Sequence, residues 1–253
     1  MTTPVISLVI PAYNEERRLP ETLPQVLRFF EAQDVPWEVI IADDGSTDRT
    51  AAIIEVYCRK QPRLRLLRLV HGGKGHAVRS GMLAAQGRYC FLSDADLSVP
   101  ITDLPRFLPA LETAEVAIAS REAQGAVRYD EPIYRHLMGR IYNLLVRLLL
   151  LPGVQDTQCG FKGFRRETVP SLFARQGMEG WGFDVELLYL ARQLGYRIIE
   201  VPVHWTYGQH SRIHPLRDSW RMGWDLLRVR WQAWRGCYTA SGNVLDKMTG
   251  KQP

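Results

Sequence analysis

The chain has 253 residues, of which 46% are hydrophobic and 23% are charged. This composition is ordinary for a globular protein with one large domain. It excludes extensive disorder anywhere other than at the two ends of the chain. The formal net charge of +5 favours an anionic partner, and phosphate, nucleic acid and an anionic membrane surface all meet that requirement.

Apolar runs of strand length alternate with stretches of helix length through the first half of the chain. The runs predict strands at 5–10, 37–42, 64–70, 88–93 and 115–120. Apolar residues at helical spacing predict helices at 20–32, 48–59 and 75–85. This alternation predicts a mainly parallel sheet with helices on both faces, in which ligands bind at the carboxyl ends of the strands.

Polar clusters follow four of the predicted strands. They are Pro11-Ala12-Tyr13-Asn14-Glu15, Asp43-Asp44-Gly45-Ser46, Gly72-Gly73-Lys74-Gly75 and Asp94-Ala95-Asp96. In the last of these, two carboxylates stand one residue apart, a spacing that directs both to the same side of a strand. Such a pair at a strand end can hold a hard divalent cation, which in turn can carry a diphosphate.

Three residues of the other clusters suit a nucleotide. Tyr13 can stack on a base, and Asp44 can accept a hydrogen bond from a base, although its neighbours also suit a tight turn. Lys74 lies between glycines at a predicted helix start, where backbone N–H groups, the helix dipole and the ammonium favour a phosphate. The alternative for Lys74 is a solvated lysine in a Gly-rich turn.

The second half of the chain contains two amphipathic segments. From 132 to 151, arginines accompany a strongly apolar face. Farther on, one helical face collects Trp220, Trp224, Leu227, Trp231 and Trp234, with arginines around it. Tryptophan beside arginine suits the headgroup region of a membrane, whereas the alternative is that these tryptophans pack on the core. The segment 239–253 has no pattern and is expected to be a frayed tail.

The cysteines and the apolar runs bear on the compartment. Cys58, Cys90, Cys159 and Cys237 lack the short spacings of zinc and redox motifs, and we interpret them as reduced thiols in a cytosolic setting. The first residues lack a signal-peptide pattern, and no run of about 18 apolar residues predicts a membrane span. We therefore expect a cytoplasmic protein that lies peripherally on the cytoplasmic face of a membrane.

Taken in order, the motifs after the strands resemble those of the family-2 glycosyltransferases, which share the GT-A nucleotide-sugar fold. The likeness is greatest to the polyprenyl-phosphate glycosyltransferases, and among these to the dolichyl-phosphate β-glucosyltransferases, through the segments 73–82, 156–162 and 181–186. It extends from about residue 5 to about residue 238. The resemblance implies an α/β protein whose Rossmann-like sheet is mixed but mainly parallel, in a single GT-A domain over 1–238. Its parts would be a nucleotide-sugar half at 5–120, an acceptor half at 121–215 and an amphipathic interfacial helix at 216–238.

The resemblance also implies an inverting transfer, with UDP-glucose as the expected donor and a polyprenyl monophosphate as the acceptor. The nucleoside pocket would be formed by Pro11, Tyr13, Glu15 and Asp44. Asp94 and Asp96, with Ala95 between them, would hold Mg²⁺ or Mn²⁺ on the donor diphosphate. Ser98 stands where mannosyl members of the wider group often have a metal-binding glutamine, so its hydroxyl or a water is the expected third ligand.

The acceptor side of this implied reaction calls for positive charge. A phosphate monoester has its second pKa near 6, so it is anionic at neutral pH and needs orientation more than a strong general base. The basic residues expected near it are Arg121, Arg135, Arg140, Lys162 and Arg212. By resemblance, Arg121 and Arg135 match positions that grip the acceptor phosphate in related synthases, and Gly139 stands where some relatives have a serine.

Two acids of the second half each have two interpretations. A hydroxyl acceptor would require a carboxylate base, for which Asp184 or Glu186 is the candidate, whereas Asp184 is alternatively the cap of the helix that follows it. Asp156 is either a structural hydrogen-bonding group or a contact to the donor or the acceptor.

Other functions stay open at this point. A GDP-mannose donor would leave the mechanism unchanged, and a saccharide or secondary-metabolite hydroxyl is an alternative acceptor. A non-catalytic nucleotide-sugar-binding protein is disfavoured because both Asp94 and Asp96 are present. Nucleic acid is not expected as a partner, since the basic residues form no stripe with aromatic residues outside the C-terminal helix.

Overall fold

The structure, a computed structural model, describes residues 3–207, 215–236 and 238, and for 215–222 it describes the backbone alone. The strands are β1 (Ile6–Ala12), β2 (Trp37–Asp43), β3 (Leu64–Arg68), β4 (Tyr89–Leu92), β5 (Val116–Ser120), β6 (Val127–Tyr129), β7 (Lys162–Arg165), β8 (Ile198–Pro202) and β9 (His204–Thr206). The helices are α1 (Leu19–Glu31), α2 (Thr50–Lys60), α3 (Lys74–Ala84), α4 (Leu108–Thr113), α5 (Ile133–Leu149), α6 (Val169–Phe173), α7 (Phe183–Gln193) and α8 (Pro215–Trp234). The expected tail at 239–253 lies outside the described residues.

The main sheet has the strand order β3-β2-β1-β4-β7-β5-β8. All neighbouring pairs in it are parallel except those of β7, which runs antiparallel to β4 and β5. A small second sheet pairs β6 with β9. The predicted α/β class and the mixed, mainly parallel sheet are confirmed.

The central strands owe their uniform apolar character to burial on both faces. Every residue of β1 and of β2 is buried, as expected for parallel strands covered by helices on either side. One core cluster includes Leu23 and Phe30 of α1, and the other includes Met82 of α3 and Leu187 of α7. The helices on the two faces therefore hold the carboxyl ends of β1, β2 and β4 at one edge.

The sequence pattern did not predict strand β7. It has the sequence Lys-Gly-Phe-Arg, which is neither an apolar run nor an alternation, and its position between β4 and β5 is a long-range property. A Cβ on Gly163 would lie 2.7 Å from the ring of Phe91, so the close strand packing requires glycine there. This insertion carries the segment just before β7 toward the end of β4.

Candidate active site

The four predicted clusters meet at the carboxyl edge of the sheet. The rings of Tyr13 and His71 stack with centroids 4.3 Å apart, and His71 Nδ1 lies 2.8 Å from a carboxylate oxygen of Asp44. Lys74 begins α3, and its Nζ lies 2.6 Å from Asp94 Oδ1. These contacts link the loops after β1, β2, β3 and β4.

Asp44 fixes the glycine-rich loop that precedes α3. Its carboxylate is buried and accepts hydrogen bonds from Gly72 N at 2.9 Å and from Gly73 N at 2.8 Å. Gly73 has a φ of 101°, a conformation that favours glycine. The contact of Asp44 with a base stays a prediction, and both of its oxygens already accept hydrogen bonds from the protein.

The loop after β1 is cross-linked to the loop after β2. Asn14 Oδ1 accepts a hydrogen bond from Thr47 N at 2.8 Å, and Glu15 N donates to Thr50 Oγ1 at 2.7 Å. The carboxylate of Glu15 pairs with Arg18 at 2.7 Å. Pro11 is buried within β1, so it could shape the nucleoside pocket only through the backbone conformation that it fixes. The pocket itself stays a prediction.

Asp94 and Asp96 lie on the turn that follows β4. Asp96 Oδ1 accepts a hydrogen bond from Ser98 N at 3.0 Å, and the enclosed Ala95 lies between the two acids. A Cβ on Gly160 would lie 2.0 Å from Asp94 Oδ2, so glycine is what leaves room for this carboxylate. The segment before β7 thus forms one wall of the candidate site.

The carboxylates at this turn fit a divalent cation whose remaining ligands a diphosphate would supply. Among residues 3–207, 215–236 and 238, no three or more His, Cys, Asp and Glu side chains gather as a metal site on their own. Mg²⁺ is commonly held by one or two carboxylates together with substrate phosphates, which matches Asp94 and Asp96 in the cradle beside Gly160. Ser98 also accepts a hydrogen bond from Thr206 N at its carbonyl, at 2.8 Å, and its role as third ligand stays a prediction.

Lys74 is held in a carboxylate-rich and aromatic setting. Burial alone would lower the pKa of Lys74, but Asp94 and Asp184 outweigh it and raise that pKa, so the ammonium stays charged. Its Nζ lies 4.8 Å from the ring centroid of Trp181 and 5.8 Å from that of Phe183. Trp181 was not predicted as a site residue, although it lies in a segment that carried the family resemblance.

Lys162, expected near the acceptor, is buried and already paired with an acid. Its side chain is fully buried, and Nζ donates to Asp184 Oδ1 at 2.5 Å and to the carbonyl of Cys159 at 2.7 Å. Its ammonium therefore neutralises the carboxylate of Asp184. Lys162 is the first residue of β7, and its contact with an acceptor phosphate stays a prediction.

Asp184 is not the N-cap of α7. The helix begins at Phe183 with Gly182 as the cap residue, so Asp184 lies in the first turn, where the helix dipole favours an acid. Burial raises the pKa of Asp184, and Lys162 and Lys74 oppose that rise. Its catalytic role stays a prediction. The nearby Glu186 accepts hydrogen bonds from Gly177 N and Met178 N and so anchors the loop before α7.

Arg121 and Asp156 form a buried fork at the end of β5. Arg121 Nε donates to Asp156 Oδ2 at 2.7 Å and Nη2 donates to Oδ1 at 2.9 Å, with the guanidinium 5.2 Å from the ring centroid of Trp205. Burial would raise the pKa of Asp156, but Arg121 lowers it to about 2. This geometry supports the structural interpretation of Asp156, and the contact of Arg121 with an acceptor stays a prediction.

The other predicted arginines have different outcomes. The guanidinium of Arg135, in the first turn of α5, lies 5.3 Å from the ring centroid of Tyr207. Its contact with an acceptor phosphate stays a prediction. Arg212 lies outside the described residues.

Comparisons with known proteins place the chain in a family. The profile of Glycosyl transferase family 2 matches residues 7–173, which is more than half of the chain. The chain belongs to glycosyl transferase family 2. This family-2 protein is similar to the dolichyl-phosphate beta-glucosyltransferase of Dictyostelium discoideum, with 37% identity over 242 residues that cover 90% of this chain and 74% of the relative. It is also similar to the enzyme of that name from Homo sapiens, with 34% identity and coverage of 92% of this chain and 78% of the relative.

Solved structures share the fold of this family-2 protein. Glucosyl-3-phosphoglycerate synthase from Mycobacterium tuberculosis in complex with UDP superposes with a TM-score of 0.65 at 23% identity, covering 90% of this chain and 80% of that one. The same synthase with Mn²⁺, UDP and glucosyl-3-phosphoglycerate gives a TM-score of 0.66 at 22% identity, with the same coverage. The predicted GT-A fold is thereby confirmed.

The family-2 protein exposes a broad apolar surface on α5 and α8, which contact each other. On α5 the exposed large side chains are Ile133, Tyr134, Leu137, Ile141, Leu144, Leu145, Leu148 and Leu149. On α8, Leu226 and Val229 are buried, whereas Trp224, Trp231 and Trp234 are 66%, 52% and 84% exposed. The alternative that these three tryptophans pack on the core is therefore wrong, and the side chain of Trp220 is not described. In the described ranges, no helix has the length and apolarity that crossing a bilayer requires.

Proposed function

We propose that this family-2 glycosyltransferase transfers glucose from UDP-glucose to a dolichyl-type polyprenyl monophosphate, with inversion at the anomeric carbon. The observation that carries the proposal is the meeting of Asp94, Asp96 and Lys74 beside Tyr13 and Asp44 at the carboxyl edge of the sheet. The curated relatives named dolichyl-phosphate beta-glucosyltransferase, which match most of the chain, support this choice of donor and acceptor.

On the donor side, the carboxylates of Asp94 and Asp96 and the ammonium of Lys74 would act on the diphosphate. Asp94 and Asp96 would hold Mg²⁺ or Mn²⁺, which, when bound, stabilises the negative charge of the departing UDP. Lys74 and the N-terminus of α3 add positive charge on the same edge. The buried Asp44 keeps the loop that ends at Lys74 in place through Gly72 and Gly73.

On the acceptor side, both nearby acids already bind other groups of the protein, which favours a phosphate over a hydroxyl as the acceptor group. A hydroxyl acceptor needs a base, but Asp184 is bound to Lys162 and Glu186 accepts hydrogen bonds from backbone N–H groups. A phosphate monoester attacks as an anion, so it needs only to be held in line. Arg121 and Arg135 would hold it, with Arg121 kept in position by Asp156.

We further propose that α5 and α8 lie against the cytoplasmic face of a membrane, where the lipid acceptor resides. Their exposed leucines and tryptophans would enter the headgroup boundary. The exposed Arg140 and Arg147 lie on the same helix as those leucines and would meet anionic lipid headgroups.

Transfer of label into lipid tests the function. Purified protein with Mg²⁺ or Mn²⁺ is given polyprenyl phosphate and either labelled UDP-glucose or labelled GDP-mannose, and the lipid is extracted into organic solvent. We expect label from UDP-glucose, and we expect Asp96→Ala to reduce it by about 100-fold or more while leaving the fold unchanged by circular dichroism. Label from GDP-mannose alone would overturn the sugar, and no lipid label from either donor would overturn the proposal. An active Asp96→Ala variant would refute the metal-binding role of Asp96.

A further inference from the structure

Lys74 lies against one of the two carboxylates that would hold the divalent cation. Its Nζ is 2.6 Å from Asp94 Oδ1, and the side chains of Lys74 and Asp94 are 19% and 31% exposed. An ammonium at this distance forms a direct ion pair with that oxygen, and a cation bound by the same oxygen would be repelled by it. The same lysine is the first residue of α3, where a diphosphate would meet backbone N–H groups, and these two roles need different positions of Nζ.

The backbone around Lys74 is fixed, so a change of partner needs only the side chain to move. Gly73 N donates to Asp44 at 2.8 Å, and Gly75 N donates to the carbonyl of Glu179 at 2.7 Å. Gln176 Nε2 donates to the carbonyl of Gly75 at 2.8 Å. The flexible four-carbon stem of lysine can turn about this anchor.

The charges near Lys74 favour movement of its side chain away from Asp94 only when the donor diphosphate binds. Asp184 already has its own ammonium, from Lys162, at 2.5 Å. The carboxylate of Asp94 is therefore the strongest close partner of Lys74. A diphosphate at the N-terminus of α3 offers Lys74 a more highly charged partner and leaves Asp94 open to a cation.

We infer that Lys74 competes with the divalent cation for Asp94, and that its transfer to the donor diphosphate makes cation binding depend on the nucleotide. The inference rests on the proposed function, because it uses the same carboxylates and the same donor. Since the coupling between two ligands is reciprocal, the cation must tighten nucleotide binding by the same factor. Lys74 thus couples the binding of the cation to the binding of the nucleotide.

Binding of Mn²⁺ to the full chain tests this without any measurement of turnover. Free Mn²⁺ is followed by its electron paramagnetic resonance signal, with and without UDP, for the wild type and for Lys74→Met. We expect Lys74→Met to bind Mn²⁺ about tenfold tighter without UDP, because a competing charge is gone. We also expect UDP to increase Mn²⁺ affinity in both proteins, because the diphosphate supplies ligands to the cation, but about tenfold more in the wild type, where it also draws Lys74 away from Asp94.

A matched control removes a positive charge elsewhere on the same helix. Arg79→Met deletes a guanidinium of α3 that contacts the carbonyl of Ala174, so its Mn²⁺ affinity should equal that of the wild type. Thermal unfolding checks each variant, and Lys74→Gln replaces Lys74→Met if the latter does not fold.

The outcomes separate the inference from the proposed function. Equal or weaker Mn²⁺ binding by the Lys74 variant, or a wild type whose Mn²⁺ affinity UDP does not change, overturns the inference and leaves the proposed reaction intact. Failure of every protein to bind Mn²⁺ even with UDP overturns the inference together with the proposed metal site.

Discussion

At the scale of single residues, two pairs of buried charges join segments that are distant in the sequence. Asp156 meets Arg121, and Lys162 meets Asp184, each pair within hydrogen-bonding distance. A buried charge without a partner is costly, so each pair holds two distant segments in one arrangement. Removing one partner leaves the other uncompensated, which ties the acceptor side of the site to the stability of the fold.

Asp156 gives a pH dependence whose sign follows from its lowered pKa. Its pKa falls from 3.8 to about 2 in the folded protein, so its contribution is present above pH 4 and is lost as the pH falls toward 2. We expect this single group to remove about 2 kcal/mol of the free energy of unfolding over that interval. Urea unfolding at several pH values between 5 and 2 measures it.

The variant Asp156→Asn supplies the comparison for this titration. It is less stable at neutral pH because Arg121 loses its ionised partner, but its stability should fall less steeply with acid. The remaining carboxylates titrate in both proteins and cancel in the difference. Identical slopes for the two proteins would contradict the assignment of the lowered pKa to Asp156.

The sequence predicts where the candidate site residues lie better than it predicts their side-chain partners. Asp94, Lys74 and Asp44 follow strands that are visible as apolar runs, so their meeting at one edge follows from parallel topology. The contact of Lys74 with Asp94 and the burial of Lys162 depend on side-chain direction and on the insertion of β7. No local pattern encodes these, and His71 and Gly160 were missed for the same reason.

At the scale of elements, α5 presents two unlike faces. Asn143 and Val146 are buried, whereas Leu137 and Leu148 are 58% and 73% exposed. An exposed apolar surface of this kind supports the proposed contact of α5 with a membrane. The helical spacing of these residues predicted the segment correctly, because amphipathic periodicity is a local property.

Vesicle flotation tests the apolar surface of α5. We expect Leu137→Glu with Leu148→Glu to weaken binding to vesicles that contain anionic lipid by about tenfold or more, since each leucine loses its transfer into the headgroup boundary and a charge is added. Val70→Glu is the matched control, because Val70 is 86% exposed and lies just after β3. Equal flotation of the double variant and the wild type would exclude α5 from the membrane contact.

At the scale of the whole molecule, β7 joins the two predicted halves into one sheet. It lies between β4, which leads to Asp94, and β5, which leads to Arg121. The turn before it brings Gly160 against the Asp94 carboxylate. The division into a nucleotide-sugar half and an acceptor half stays a prediction, and the sheet itself runs continuously through both.

Gly160→Ala tests whether this junction shapes the donor site. Its Cβ would lie 2.0 Å from Asp94 Oδ2, so the carboxylate must leave its position and can no longer act together with Asp96. We expect a loss of about 100-fold or more in glucose transfer and a clear loss of Mn²⁺ affinity in the presence of UDP. The free energy of unfolding should change by only about 1 kcal/mol, because the partly exposed side chain of Asp94 can turn aside. Gly223→Ala on α8 is the control, since a Cβ there meets nothing within 4 Å. If Gly160→Ala bound Mn²⁺ and UDP like the wild type, the turn before β7 would not shape the donor site, and the two sides of the protein would be joined by the sheet alone.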